Sequence, residues 1–158
     1  MALDQVKNFA KAALAAGISD VATTMTVTTG AGSEFPTTAG GSYNLVIWND
    51  TDYLDASDDP NVEMVRCTVR AGDVFTITRA QEGTSGVAHS SIGKTYRATL
   101  SLTAKTVEDT STQIDAAQAD ATQAIADAAQ AIADAATAQA TADAAGDMVL
   151  ASVQTVTG

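Results

Sequence analysis

Residues 62–78 read VEMVRCTVRAGDVFTIT, and this stretch decides the first part of the fold. Two runs rich in β-branched residues, Val62 to Arg70 and Val74 to Thr78, flank the short segment Ala71-Gly72-Asp73. Such runs, separated by a short connection that contains glycine, are typical of a β-hairpin. The sequence therefore predicts two adjacent antiparallel strands here.

Three further segments on either side of this hairpin also have strand character. Thr23 to Thr29 is rich in β-branched residues, and Tyr43 to Trp48 is a continuous apolar run that predicts a strand buried on both faces. Tyr96 to Leu102 alternates apolar and polar residues, as a half-buried strand does. About five strands within about 80 residues indicate a small sandwich or barrel-like β-domain.

A short helix is predicted at the N-terminus. Asp4 would lie in its first turn, where the helix dipole favours an anion, and Gly17 would follow its last turn. Its apolar stripe, with spacings of three and four, consists of Leu3, Val6, Ala10, Ala13 and Leu14.

A seven-residue repeat dominates the C-terminal part. Residues 124–130 read AIADAAQ and residues 131–137 read AIADAAT, and an apolar period of seven is that of a left-handed coiled coil. If the two isoleucines occupy position a, Asp127 and Asp134 fall at the outward position c. The predicted oligomer seam then consists of Ile114, Ala121, Ile125, Ala128, Ile132 and Ala135.

Charge and composition change at the same place in the chain. Residues 1–105 carry all 8 basic side chains and 11 acids, whereas residues 106–158 carry 8 acids and no Lys or Arg. We therefore predict an α+β protein with a β-rich domain at 1–105, a coiled-coil stalk helix at 106–145 and a separate segment at 146–158. An alanine seam buries little area, so the helix could be solvated, a lid on the β-domain or one strand of a bundle. The heptad repeat favours the bundle, with the helices parallel.

Composition excludes several classes of function. The pI near 4.1 argues against a nucleic-acid partner, which requires a basic surface. No apolar stretch is long enough to span a membrane. The N-terminus has no basic segment followed by a long apolar run, so a secretory signal is not predicted. The single Cys67 excludes an intramolecular disulfide, and one Cys with one His cannot supply a four-ligand zinc site. No cofactor motif occurs, so we expect no cofactor and no metal.

Neither of the two candidate sites for catalysis or calcium binding is persuasive. The acidic segment from Asn49 to Asp59 fails the EF-hand pattern, with Leu54 at the fifth position and Asn61 at the twelfth, and predicts a solvated loop with Asx-turns. The same loop is a poor source of the paired carboxylates of a polysaccharide-cleaving enzyme. His89 lies in a segment rich in Gly and Ser that predicts a loop, not a catalytic triad. We expect no enzymatic activity.

The remaining chemically distinctive residues have ordinary structural explanations. Cys67 alternates with valines and is predicted to be a small buried hydrophobe. Trp48 ends an apolar run and is predicted to lie in the core. Together with Tyr43 and Tyr53, it is nevertheless the aromatic cluster that a carbohydrate-binding module on a stalk would use.

Several segments of the β-domain resemble a known class of virion protein. They are Asp58 to Arg66, Arg70 to Thr84, Ala88-His89 and Leu102 to Lys105. They are similar to the N-terminal β-domain of tailed-bacteriophage tail-fibre or minor structural proteins, which carry an Arg-x-Gln-Glu-Gly-Thr hairpin and a Leu-Thr-Ala exit into a helical stalk. The resemblance covers most of residues 1–105. It also implies that residues 146–158 are the start of a following fibre segment.

The resemblance makes the hairpin end a candidate anchoring turn. It consists of Arg79, Gln81, Glu82, Gly83 and Thr84. We expect Gly83 to adopt a positive φ and Arg79 to pair with Glu82 across the turn.

The function that follows from these features is structural. We expect a virion component that anchors a fibre to the phage particle and supports host attachment, with itself, as a homotrimer, and other virion structural proteins as partners. A host surface glycan would be bound by a more distal part of the fibre. The alternatives are a capsid or neck appendage or decoration protein, and a carbohydrate-binding module on a stalk.

Overall fold

The computed structural model describes residues 3–156, which form a curled antiparallel sheet of six strands and one long C-terminal helix. This agrees with the predicted α+β class. The described chain divides into two compact units between Ser111 and Thr112. The elements are β1 (Lys11–Ala13), β2 (Thr24–Thr26), β3 (Tyr43–Asn49), β4 (Glu63–Ala71), β5 (Val74–Gln81), β6 (Tyr96–Leu100) and α1 (Ala104–Val156), with short 3₁₀ turns at Ala31–Glu34, Thr38–Gly40 and Ala56–Asp58.

The strand order is β1-β6-β3-β4-β5-β2, and every pair is antiparallel. The predicted hairpin is confirmed: β4 and β5 pair up to Ala71 and Val74, around a Gly72 with φ 61°. The predicted doubly buried strand is confirmed too, because every residue of β3 is buried. Both neighbours of β3 are long-range partners, so this apolar run forms the centre of the sheet.

The sheet curls so strongly that two backbone hydrogen bonds join the ends of its edge strands, β1 and β2. The backbone N–H of Ala15 donates to the Thr26 carbonyl at 2.8 Å, and that of Thr28 donates to the Ala13 carbonyl at 2.9 Å. The result is a half-barrel, the barrel-like form of the two predicted architectures. The concave side holds the core, which consists of Ala10, Ala12, Leu14, Met25, Val27, Phe35, Tyr43, Leu45, Ile47, Val65, Cys67, Phe75, Ile77 and Ala98.

The predicted N-terminal helix is wrong. Lys11–Ala13 is a strand paired with β6, and Ala10, Ala12 and Leu14 are buried in alternation with more exposed neighbours. Apolar residues at 10, 13 and 14 fit a helix and those at 10, 12 and 14 fit a strand, and the hydrogen bonds offered by β6 decide in favour of the strand. Phe9, with φ 61°, adopts a left-handed conformation that no helix contains.

Gly17 is therefore not a helix terminus. A Cβ atom at this position would lie 2.6 Å from the carbonyl oxygen of His89, so glycine permits two backbone segments to approach. The backbone N–H of Ile18 donates to that same carbonyl at 3.0 Å, and the N–H of His89 donates back to Ile18 at 2.9 Å.

The helix α1 begins earlier and extends further than the predicted 106–145. Alanine-rich sequence favours the helical state throughout, and Gly146 lies within it. Residues 146–156 continue the helix; that this segment begins a following fibre section stays a prediction, and residues 157–158 lie outside the described range. In the described part of the chain, no helix is long and apolar enough to cross a bilayer.

Candidate functional site

The candidate anchoring turn lies at the end of β5 and has an unusual backbone. Ala80, Glu82 and Gly83 all have positive φ, at 55°, 51° and 80°. The expectation for Gly83 is confirmed. A Cβ there would meet no neighbouring atom, so the left-handed backbone alone favours glycine. The two non-glycine residues hold a costly conformation that their contacts must stabilise.

A fully buried carboxylate, Glu63 of β4, lies beneath this turn. Nε of Arg79 donates to its Oε1 at 2.7 Å, and Nη2 of Arg79 donates to its Oε2. The backbone N–H of Ala80 donates to Oε1 at 3.0 Å, and Nε2 of His89 lies 3.0 Å from Oε2. The predicted pairing of Arg79 with Glu82 is therefore wrong, because Arg79 reaches across to Glu63.

Electrostatics fixes the charge states in this cluster. Burial disfavours a charge on Glu63, but the hydrogen bonds from Arg79 and from the Ala80 N–H outweigh burial and lower the pKa of its carboxyl group. Burial lowers the pKa of His89 in spite of the neighbouring carboxylate. Glu63 is thus ionised at neutral pH, and a neutral His89 donates its Nε2–H to it.

The guanidinium of Arg79 also binds two loops. Nη1 donates to the carbonyl oxygen of Ser19, and Nη2 donates to that of Val87 at 2.6 Å. One side chain therefore joins β5 to the segments before β2 and after the turn. Because its donors are directed inward, Arg79 holds these segments of the domain together.

Thr84 and Gln81 complete the turn through hydrogen bonds to the backbone. Oγ1 of Thr84 accepts from the N–H of Met64 at 3.0 Å and donates to the carbonyl of Gln81 at 2.7 Å. Nε2 of Gln81 donates to the carbonyl of Arg79 at 2.8 Å. The five residues of the candidate turn thus lie together, and the contacts of Arg79, Gln81 and Thr84 are made within the domain.

Glu82 connects the turn to the start of α1. Its Oε2 accepts from the backbone N–H of Lys105 at 3.2 Å, and its Oε1 accepts from Nδ2 of Asn44 at 2.5 Å. The hydroxyl of Thr103 accepts from the N–H of Thr106 at 3.4 Å and caps the helix. A carboxylate and a hydroxyl at a helix N-terminus both stabilise its unpaired N–H groups.

A second ion pair extends this connection to the N-terminal segment. Nη2 of Arg66 donates to Oδ1 of Asp4 at 2.6 Å, and Nη1 donates to Oδ1 of Asn44 at 3.0 Å. The hydroxyl of Thr106 lies 3.5 Å from Oδ2 of Asp4. We call Asp4, Asn44, Arg66 and Glu82 the polar brace; it holds the first turn of α1 on the β-domain.

Sequence reasoning missed Glu63 and the polar brace. A signal for Glu63 exists, because it stands in phase with Val65 and Cys67 on the buried side of β4. Asp4 and Arg66 are separated by 62 positions, and nothing local in the sequence links them.

The acidic loop contains the predicted Asx-turns. Oδ2 of Asp59 accepts from the N–H of Asn49 at 2.8 Å and its Oδ1 from that of Asn61 at 2.8 Å, while Oδ1 of Asp55 accepts from the N–H of Ser57 at 2.8 Å. The bonds to Ser57 and Asn61 span two positions and confirm the predicted Asx-turns, whereas the bond from Asn49 to the buried Asp59 joins the two ends of the loop. Within residues 3–156, no three His, Cys, Asp or Glu side chains are grouped so that they could hold a metal ion.

The aromatic cluster is mostly internal. Trp48 and Tyr43 are buried in β3, as predicted for Trp48, and Tyr53 is half-buried. Cys67 is also fully buried, and burial raises the pKa of its thiol, which confirms the prediction of a small buried hydrophobe. Two of the three aromatic rings that a carbohydrate site would use therefore offer no open face for stacking.

The predicted seam residues are all exposed in the single chain: Ile114, Ala121, Ile125, Ala128, Ile132 and Ala135. Ile125 and Ile132 are each 72% exposed. On another face, Nε2 of Gln123 donates to Asp127 at 2.7 Å, and the equivalent bond from Gln130 to Asp134 measures 2.8 Å. The polar i, i+4 pairs thus lie on a different face of the helix from the apolar stripe, as the heptad assignment requires.

No model of a known protein family matches this sequence, and no curated protein matches it significantly. Its function is therefore inferred from the residues and contacts described above.

Proposed function

We propose that this chain is a non-enzymatic structural component of a tailed-phage virion. Its β-domain anchors a fibre to the particle, its helix self-associates as a parallel trimeric stalk, and the assembly supports host attachment. One observation carries this proposal: a continuous 53-residue helix exposes an isoleucine-containing stripe in a seven-residue repeat.

The exposed stripe is the argument for self-association. An isoleucine gains about 1.5–3 kcal/mol when it leaves water, so Ile114, Ile125 and Ile132 favour a bundle of copies. The alanines between them bury little, but they let helices approach closely. A thin seam specifies register poorly, so we infer that the β-domains help to align the copies. The trimeric state is the one that the resemblance to phage fibres implies.

The resemblance in the turn supports the virion assignment. The residues that carry it, Arg79 to Thr84, fix the end of β5 and the first turn of α1. A fibre protein needs such a rigid joint where its stalk leaves the anchoring domain. The β-domain has mixed charge suited to a protein interface, whereas the 8 acids without Lys or Arg in 106–158 suit a solvated stalk.

Mass photometry on the purified chain tests the assembly, and three copies are expected. Cryo-electron microscopy of the whole particle tests the location: residues 1–105 should contact other virion proteins at a tail position. Density at a capsid or neck position would favour the appendage alternative. A monomeric chain, or β-domains without contact to the particle, would contradict the proposal.

A further inference from the structure

An exposed apolar patch lies on the β-domain close to the start of the helix. It consists of Val6, Phe9 and Leu102, which line one open groove together with Lys7, Asn8, Leu100 and Ser101. We call it the basal patch. Phe9 is 96% exposed, and Val6 and Leu102 are also largely exposed. An aromatic ring held in water beside two aliphatic side chains marks an interaction surface.

The fold holds Phe9 in this position. The N–H of Gln5 donates to the Ser42 carbonyl at 3.1 Å, and Nζ of Lys7 donates to that of Ser33 at 2.6 Å. On the other side, the buried Ala10 accepts from the N–H of Leu100 at 2.9 Å. Between these fixed points, Phe9 adopts φ 61°, which is unfavourable for a bulky residue. The core makes no use of the ring that this strained turn presents.

The basal patch adjoins the beginning of the seam. Continuing the heptad register towards the N-terminus places Ala104 and Ser111 at position a and Val107 at position d. These three are exposed, Val107 by 61%, whereas Lys105, Thr106, Asp109 and Thr110 are partly buried. The seam face is therefore open from the first turn of α1, on the side opposite the partly buried one.

We infer that the basal patch packs against a second copy of this chain beside the first turn of the seam. This rests on the proposed self-association. Parallel helices pack about 8–10 Å apart. Leu102 precedes Ala104 by two residues, which span at most about 7 Å. A copy packed against the first turn of α1 would therefore lie close to Leu102, at one end of the patch.

A photo-reactive residue at position 9 of the full chain tests the contact directly in the purified protein. Irradiation should link copies to one another, with the adducts mapping to the patch or to the first turns of α1 in the second copy. Leu54 is 98% exposed in a different loop, so the same reagent at position 54 is the matched control. Absence of links from position 9 in a trimeric sample would overturn the inference, and would leave another virion protein as the occupant.

Substitution gives a second readout. Phe9→Gly suits the left-handed backbone, so it should leave the β-domain folded or raise its melting midpoint. Together with Leu102→Ser, it should raise the concentration at which the trimer dissociates about tenfold or more, since two apolar side chains lose their burial. The control variant, Leu54→Gly with Ile92→Ser, should change the concentration at which the trimer dissociates much less. A monomeric wild-type chain would refute the proposed self-association, and this inference with it. A trimeric wild type whose basal-patch variant dissociates like the control would refute only the inference.

Discussion

At the scale of single residues, Glu63 organises the β-domain. It is fully buried on β4, and it accepts hydrogen bonds from Arg79, from the N–H of Ala80 and from His89. The desolvation of a carboxylate is costly unless such donors surround it. The same donors hold the positive-φ residue Ala80 in place. The candidate anchoring turn therefore depends on a residue outside the turn.

Glu63→Gln should destabilise the β-domain by about 3–5 kcal/mol, because it leaves the largely buried Arg79 without its counter-charge. Urea unfolding followed by the fluorescence of Trp48, the single tryptophan, measures this loss. Glu34→Gln makes the same chemical change at an exposed site and should have little effect. Equal effects of the two substitutions would refute the assigned role of Glu63.

His89 should make stability depend on pH. Its pKa is lowered from 6.5 in the folded state, so below about pH 6.5 the unfolded chain binds a proton that the folded chain resists. Stability should therefore fall as the pH drops from 7.5 to 5.5, and fall further near pH 4, where unfolded carboxylates such as Glu63 take up protons.

His89→Gln should abolish the fall in stability between pH 7.5 and 5.5 and retain the loss of stability near pH 4. Urea midpoints from Trp48 fluorescence at the three pH values decide this. An unchanged slope in the variant between pH 7.5 and 5.5 would show that another group is responsible.

At the scale of elements, the turn after β5 and the first turn of α1 form one joint. Glu82 accepts from the N–H of Lys105, and Asp4 lies within hydrogen-bonding distance of Thr106. The helix start is thus held by contacts with two separate segments of the β-domain, in addition to its own Thr103 cap. Beyond Ser111, the helix exposes its apolar stripe and has intrahelical pairs on another face.

Replacing Ile125 and Ile132 together with Asp should dissociate the oligomer, because burying unpaired charges in the seam costs several kcal/mol. Asp127→Ala with Asp134→Ala is the matched control one face away, and it should leave the oligomer intact. Mass photometry over a dilution series compares the two variants. Equal dissociation by both pairs would show that the heptad assignment is wrong.

At the scale of the whole molecule, the chain combines two units with different sources of stability. The unit up to Ser111 has a core inside a curled sheet, where long-range strand pairs enclose the apolar side chains. The helical unit from Thr112 has alanine propensity and i, i+4 pairs but few large apolar groups. The first unit should fold alone, and in the proposed trimer the second would bury its stripe against other copies.

A chain that ends after Ser111 should therefore be folded and mostly monomeric. It retains Lys105, Thr106 and the polar brace, and it lacks the seam from Ile114 onward. Sedimentation gives its mass, and the emission wavelength of Trp48 reports whether β3 is buried. A shortened chain that remains trimeric would place self-association in the β-domain.

The sequence by itself determined those features whose causes are local. The β4–β5 hairpin, the buried run of β3, the positive φ of Gly83 and the Asx-turns each depend on residues within a few positions. Alanine content and the seven-residue repeat likewise specify a helix and its exposed stripe without any distant partner. The continuation of α1 to Val156 follows the same helix propensity past the single Gly146.

Only the tertiary structure decided the N-terminal segment and the charge partners. Ala10, Ala13 and Leu14 fit a helical pattern, whereas Ala10, Ala12 and Leu14 fit a strand pattern, and the open edge of β6 selects the strand. Arg79 pairs with Glu63, 16 positions away, instead of with the nearby Glu82. Glu82 is instead used by the start of α1, 23 positions away. Such pairings depend on which strands become neighbours when the sheet curls. The sequence around a charged residue does not identify its distant partner.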